Sequence, residues 1–347
     1  LKVSFDAFIR DTKDMLMAGK TLPGVYGASS PRMNVADLRT KGWEASVTWG
    51  DSFTLASKPF NYRIMAGIGD NTSKVTKYDK PNRTLTDPYE GQQLGEIWGY
   101  VVDGYFKTDE EARNYKVDQS FVNQMINASA LDNGLHAGDL KFVDLDGNNK
   151  IEQTTSANDR KDMKVIGNSL PRYNYNFGIS ADWYGIDFSV LFQGIGKQNW
   201  YPGAETSMFW GPYSRPYASF IPSDFMSQVW SEENTNAYFP RPRGYVALGS
   251  NRELAVVNTK YLQNLAYCRL KNLSIGYTLP DKWLSKIGFE KIRVYFSGEN
   301  LLTFTKLHSD YIDPEQASAS NSWKTSKSDA NIYPWAKTYS FGVDITF

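Results

Sequence analysis

The stretch "DLDGNNKIE", Asp144 to Glu152, holds the residue types and spacing best suited to chemistry. Asp144, Asp146 and Asn148 fall at the first, third and fifth positions of an EF-hand-like loop, and Lys150 would offer its carbonyl at the seventh. Hard cations such as calcium want several oxygens, and this spacing turns three oxygen-bearing side chains toward one centre. The departures are plain: Gly147 sits at the fourth position, Asn149 replaces the usual glycine at the sixth, and Thr155 stands where a bidentate Glu is normal. Asp159 would substitute for that Glu only in a differently folded loop. The same residues suit an Asx-rich turn whose side chains bond their own backbone. A calcium loop over 144–159 and a plain turn both remain open, and no cofactor is required by either.

Nothing else has a catalytic spacing, so no enzyme is expected. His136 lies in a polar stretch and His308 just past a strand pattern, and neither neighbours a Ser or Cys motif. The single cysteine, Cys268, excludes an intramolecular disulfide and lies in an alternating strand. The acidic run Asp109 to Ala112 reads as a solvated helix start. Lys+Arg and Asp+Glu are 38 each, which gives no basic excess for nucleic acid. No run of 18 apolar residues occurs, so no transmembrane helix is expected. Leu1 begins inside a strand pattern with no signal peptide, which suggests a piece of something larger.

The elements that would position these residues are strands. "YNYNFGISADW" sets Tyr173, Tyr175, Phe177, Ile179, Ala181 and Trp183 against Asn174, Asn176, Gly178, Ser180 and Asp182. Strand side chains alternate, so one face is oily and the other polar. Similar patterns begin at Leu1, Trp43, Phe60, Ile186, Asn272, Phe289 and Thr338. About eight strands of roughly ten residues result, the length a tilted strand needs to cross a bilayer. The connections 11–40, 71–172, 195–271 and 301–337 are long. Those at 51–59, 280–288 and the pair Tyr184-Gly185 are short, and long alternates with short. A membrane β-barrel does this, with tight turns at one rim and extended loops at the other. A soluble β-sandwich or solenoid also gives one apolar face per strand, without the loop parity. The pattern predicts that Phe177, Ile179, Trp183, Phe188, Val190 and Phe192 face lipid, and that Asn176, Ser180, Asp182 and Asp187 face a lumen or rim. The long connections are rich in Trp and Tyr, among them Trp98, Trp200, Trp210, Tyr217, Trp230 and Trp323. Such rings either pack the loops into a rigid cap or stack on a solute.

Several stretches together resemble the C-terminal part of the SusC/RagA family of TonB-dependent outer-membrane transporters. They are "DLRTKGWEASVTWG" (37–50), "GEIWGYVVDGYFKTDEEA" (95–112), "GDLKFVDLDGNNKIEQ" (138–153), 165–201, 267–306 and the tail "YPWAKTYSFGVDITF". The resemblance implies an all-β fold: a transmembrane antiparallel β-barrel of about 22 strands, of which residues 1–347 supply the C-terminal eight or so with long extracellular loops. The N-terminal plug and the earlier strands would lie outside this chain. It implies import of glycan fragments or oligopeptides across the outer membrane of a Gram-negative bacterium. The partners implied are a SusD-like lipoprotein, TonB through the plug, membrane lipid and lipopolysaccharide. A structural or adhesive surface β-protein is the alternative. Gly342, Ile345 and the terminal Phe347 look like the signal that barrel-assembly machinery reads, with the C-terminus periplasmic. No substrate-contacting residue can be singled out from the pattern.

Overall fold

The computed structural model describes residues 1–347 except 21, 123–133, 215–219, 243, 250–251, 285–287, 318–326 and 329–332, and the side chains of 327–328. Tyr217 and Trp323 therefore lie outside the described residues. Eight strands make one sheet: β1 (Lys2–Ala18), β2 (Arg32–Leu55), β3 (Lys58–Tyr78), β4 (Arg172–Trp183), β5 (Ile186–Lys197), β6 (Tyr267–Thr278), β7 (Lys291–Thr305) and β8 (Thr338–Thr346). Each pairs antiparallel with its neighbours in chain order. The sheet is open among the described residues, where β1 pairs with β2 alone and β8 with β7 alone.

The register puts the apolar sets on one face. Val47, Ala66 and Phe177 lie in one row, since Val47 opposes Ala66 and Ala66 opposes Phe177. Phe177 opposes Phe192, their rings stacked at 4.7 Å and 11°. Ile179 opposes Val190, and Ala181 opposes Phe188. The same face continues through Ile275, Phe296 and Phe341, which form one row across β6, β7 and β8. Many of these side chains are open to the outside: Phe177 is 40% exposed, Ile179 43% and Phe341 83%. A soluble sheet would cover such a face.

The strands depart from the expected ten residues. β1, β2 and β3 run 17, 24 and 21 residues. Their alternation of oily side chains stops near Trp43 and Ile68, and the pairing runs on through Arg39 and Lys74. A ladder needs only backbone donors and acceptors, so it outlasts the apolar pattern that announced it. The tight connections are residues 56–57 and 184–185, whose φ angles (48° and 64°; 50° and 85°) are the left-handed pairs a two-residue hairpin needs. The third, 279–290, carries a short helix, Asp281–Leu284. Residues 19–31 are hardly longer than this, so length alone does not separate the two rims there.

The main hydrophobic core is not in the sheet. It lies among the connections 79–171, 198–266 and 306–337, with Trp200, Tyr201, Trp210, Tyr213, Tyr261 and Phe239 almost fully buried. Backbone bonds cross between the segments: Tyr100 N donates to Val257 O (2.9 Å), and Thr259 N to Tyr100 O (3.0 Å). The helix at Asp109–Arg113 is capped by Thr108, which accepts from Glu111 N, while Glu111 accepts from Lys107 N.

Candidate functional site

The polar face opposite the apolar one is built from short side chains and ion pairs. Asn61 donates to Asp182 (2.7 Å) across β3 and β4. Arg293 on β7 reaches over Gly276 to Asp187 on β5 (2.6 and 2.9 Å) and also to Asp344 on β8 (3.2 Å). A Cβ on Gly276 would stand 2.3 Å from the Asp187 carboxylate, so only glycine lets the pair cross. Asn176, Ser180, Asp182 and Asp187 all lie on this face by register. Near β1 a groove of about 410 Å³ is lined by Asp6, Glu44, Ser46, Asn174 and Asn176. Carboxylates, amides and hydroxyls on an open wall can hydrogen-bond a polar solute or another polar protein surface.

One buried cation fastens the loops to this wall. Arg269 on β6 is 2% exposed. Its guanidinium donates to Asp313 (2.6 Å), Glu315 (2.6 Å) and Thr303 (2.9 Å), and Lys271 adds a second hold on Glu315 (2.7 Å). Asp313 also accepts the backbone N–H of Glu315 (2.9 Å) and of Trp335 (3.0 Å), so it ties both ends of the 306–337 connection to β6. Further along, Ser309 donates to Met208 O (2.7 Å) and the His308 ring stacks on Tyr238 at 3.5 Å. The loops are thereby one packed cap. Most of their aromatics fill its interior rather than face a solute, and Tyr333 and Trp335 are exceptions at 92% and 51% exposure.

The acidic stretch folds as nested turns. Asp144 accepts from Gly147 N and Asn149 N (2.7 Å each), and Asp146 from Asn148 N (3.1 Å). Asn148 accepts from Lys150 N (2.8 Å), so Lys150 enters the turn through its amide. Asp162 joins them from outside the motif: carboxylate oxygens of Asp144, Asp146 and Asp162 lie within 4.8 Å of one another. Asp162 is fully buried and accepts from Glu152 N (2.7 Å) and Leu145 N (2.9 Å). Burial pushes its carboxyl above the ordinary range; the two amides oppose this, and the charges of Asp146 and Asp144 add to it. Three carboxylates with spare lone pairs fit a hard cation by donor type, although their amide bonds already satisfy the turn. No local spacing marks Asp162, which closes the cluster from beyond the loop.

The terminal strand carries its three singled-out residues on both faces. Gly342 lies on the polar face under the Tyr295 ring, which a Cβ there would meet at 2.3 Å. Ile345 pairs with Ile292 on the apolar face, and Phe347 lies 5.2 Å from Phe289 at the rim. The remaining reactive groups have structural contacts. His136 lies 3.7 Å from Asp109, His308 Nε2 is 2.8 Å from Gln228 Oε1, and Cys268 pairs in register with Gly194 and Phe304.

No protein-family model matches the sequence. The chain is similar along its whole length to TonB-dependent receptor P3 of Formosa agariphila, at 27% identity over 366 residues, covering 100% of the chain and 32% of the receptor. It is similar to TonB-dependent receptor SusC of Bacteroides thetaiotaomicron at 22% identity, covering 99% of the chain and 30% of SusC. Among solved structures, the RagAB peptide importer in its open-open state superposes with a TM-score of 0.68 at 20% identity, over 99% of the chain and 32% of that structure's chain. The chain thus spans about a third of the length of the curated relatives it matches.

Proposed function

We infer, from a chain that is SusC/RagA-like along its whole length, that residues 1–347 are the C-terminal part of the barrel wall and loop cap of an outer-membrane importer. The observation that carries this is the sheet itself: eight consecutive antiparallel strands, oily on one face, polar on the other, with the loops gathered into a cap at one rim. Lipid would lie against Phe177, Ile179, Trp183, Phe188, Val190 and Phe192. The polar face would line the lumen, and Phe347 would lie at the periplasmic rim beside the tight turns. There Gly342, Ile345 and Phe347 would act as the assembly signal.

The cargo is an oligomeric nutrient too large for passive pores, a glycan fragment or an oligopeptide. The hydrogen-bonding wall and the name of the RagAB peptide importer favour the oligopeptide. Energy would come from TonB through a plug outside this chain, and a SusD-like lipoprotein would close over the cap. This reading requires no cofactor for transport. Calcium held by Asp144, Asp146 and Asp162 would act on loop stability alone, and a thermal scan with calcium against chelator reads that effect directly.

The deciding experiment deletes the whole receptor gene and follows uptake of labelled oligopeptides and oligosaccharides, together with purification of the tagged receptor. Import lost on deletion, with a surface lipoprotein co-purifying, supports the proposal. Unchanged uptake of both classes would instead leave a structural or adhesive role.

A further inference from the structure

We propose that the outward face of β1–β3 holds a site for a phosphorylated glycolipid of the surrounding leaflet, with its phosphate at Lys41 and Lys74 and its acyl chains below. This rests on the reading that the apolar face meets lipid. The rows of the sheet change character at one level. Phe5 opposes Ala45 within the apolar band, and the row of Ala7 and Trp43 runs on to Asp70, whose carboxylate is paired with Arg172. The next row is Ile9, Lys41 and Thr72, and the row after it is Asp11, Arg39 and Lys74. Alternation keeps all of these on the face that carries Val47 and Phe177. A cluster of cations thus begins one row beyond Trp43, where an interfacial Trp places the edge of the hydrocarbon.

A groove of about 680 Å³ joins the two zones and is lined by Phe5, Ile9, Trp43, Lys41, Thr72 and the Asp70–Arg172 pair among others. Its lower wall suits an acyl chain and its upper end suits an anion. Two of the cations are already matched: Arg39 makes a bidentate pair with Asp11 (2.7 and 2.9 Å), and Arg172 makes one with Asp70. No ion pair holds Lys41 or Lys74 among the described residues, and both side chains are exposed. The polar face behind them is closed, because Thr40 is buried and hydrogen-bonded to Ser73 (2.8 Å), and Val75 is buried in a cluster that includes Leu94 of the 79–171 connection. The two lysines therefore present uncompensated charge outward, at the height where headgroup phosphates lie. Charge complementarity selects an anionic headgroup, and the adjoining apolar groove selects one that carries acyl chains.

The test uses the whole receptor in phosphatidylcholine nanodiscs doped with a phosphorylated glycolipid, or with the same glycolipid after phosphatase treatment. Heat-modifiable migration first establishes that the receptor is inserted, so a failure of the membrane reading shows there and not in the binding data. Glycolipid retained after detergent release is then counted by native mass spectrometry. The expected result is retention of the phosphorylated form, falling roughly 5-fold for Lys41→Gln and about 30-fold for Lys41→Gln with Lys74→Gln, at unchanged insertion. Equal retention of the dephosphorylated lipid, equal retention by the double variant, or protection by inorganic phosphate with no glycolipid held would each overturn the proposal.

Discussion

At the scale of single residues, buried charge decides most. Arg269 is enclosed by Asp313, Glu315 and Thr303, and removing it leaves Asp313 buried without the guanidinium that pairs with it. Breaking such a pair by removing one partner costs about 3–5 kcal/mol. Arg269→Ala in the whole receptor should therefore lower the unfolding temperature and free the 306–337 connection to proteolysis. Arg269→Met with Asp313→Leu should recover part of that loss, because no lone charge remains. Asp162 gives a pH signature of its own. Its folded carboxyl is raised above the unfolded value, so the native loop binds the proton more tightly. The associated stability is present at pH below the ordinary Asp range and is lost as pH rises through the raised value. Asp146→Asn should narrow that window from above, since it removes one of the charges raising Asp162. Hydrogen exchange of peptides covering 145–152 across the acidic range measures this, and a pH-independent profile in both proteins would contradict it.

Strands and turns set the next scale. β4 and β5 form a hairpin whose apolar side chains share one face, with Ile179 opposite both Ile64 and Val190. Arg in place of Ile179 should cost roughly 2–4 kcal/mol if the position is near the bilayer midplane, and less toward either rim. Folding into lipid vesicles under a urea titration would show it, and no difference from the unsubstituted receptor would mean that this face does not meet hydrocarbon. The turn at 56–57 holds Ala56 and Ser57 at φ of 48° and 64°, where L-residues with a Cβ are strained by about 1–2 kcal/mol each. Ala56→Asn with Ser57→Gly supplies the residues a type I′ hairpin prefers and should stabilise the β2–β3 pair in the same titration. A loss of stability would show that this backbone conformation is not the one adopted in the membrane.

The whole molecule is governed by its edges. β1 and β8 each have a free edge, and the polar backbone groups of such an edge find no water inside a bilayer. Residues 1–347 by themselves should therefore aggregate and fail to insert into vesicles, whereas the same strands within the whole receptor should resist protease. Flotation of vesicles on a density gradient separates the two outcomes. Stable insertion of the segment as a heat-modifiable monomer would mean that β1 and β8 can close on each other. The cap adds a second whole-molecule property, since its three connections share one core and should unfold together rather than loop by loop.

Alternation is a local property, and it made much of the sheet legible in the sequence. The order of the strands, the face of Phe177 and Phe192, the Tyr184-Gly185 hairpin and the helix start at Asp109 all follow from residues within a few positions of one another. The full reach of β1–β3 was hidden, because pairing continues past Trp43 with no hydrophobic pattern to mark it. Asp144, Asp146 and Asn148 announced an acidic turn, but Asp162 is brought to them only by the fold of the loop. The Arg269 anchor was equally invisible, and the aromatic connections suggested a packed cap without showing which rings meet. Both join side chains far apart in the chain, 44 positions for Arg269 and Asp313, and burial in such contacts depends on which segments the sheet places side by side. The sequence by itself determined which residues alternate and where the chain turns back. Only the tertiary structure decided which loops share a core and which charges are buried, because those energies belong to contacts between distant segments.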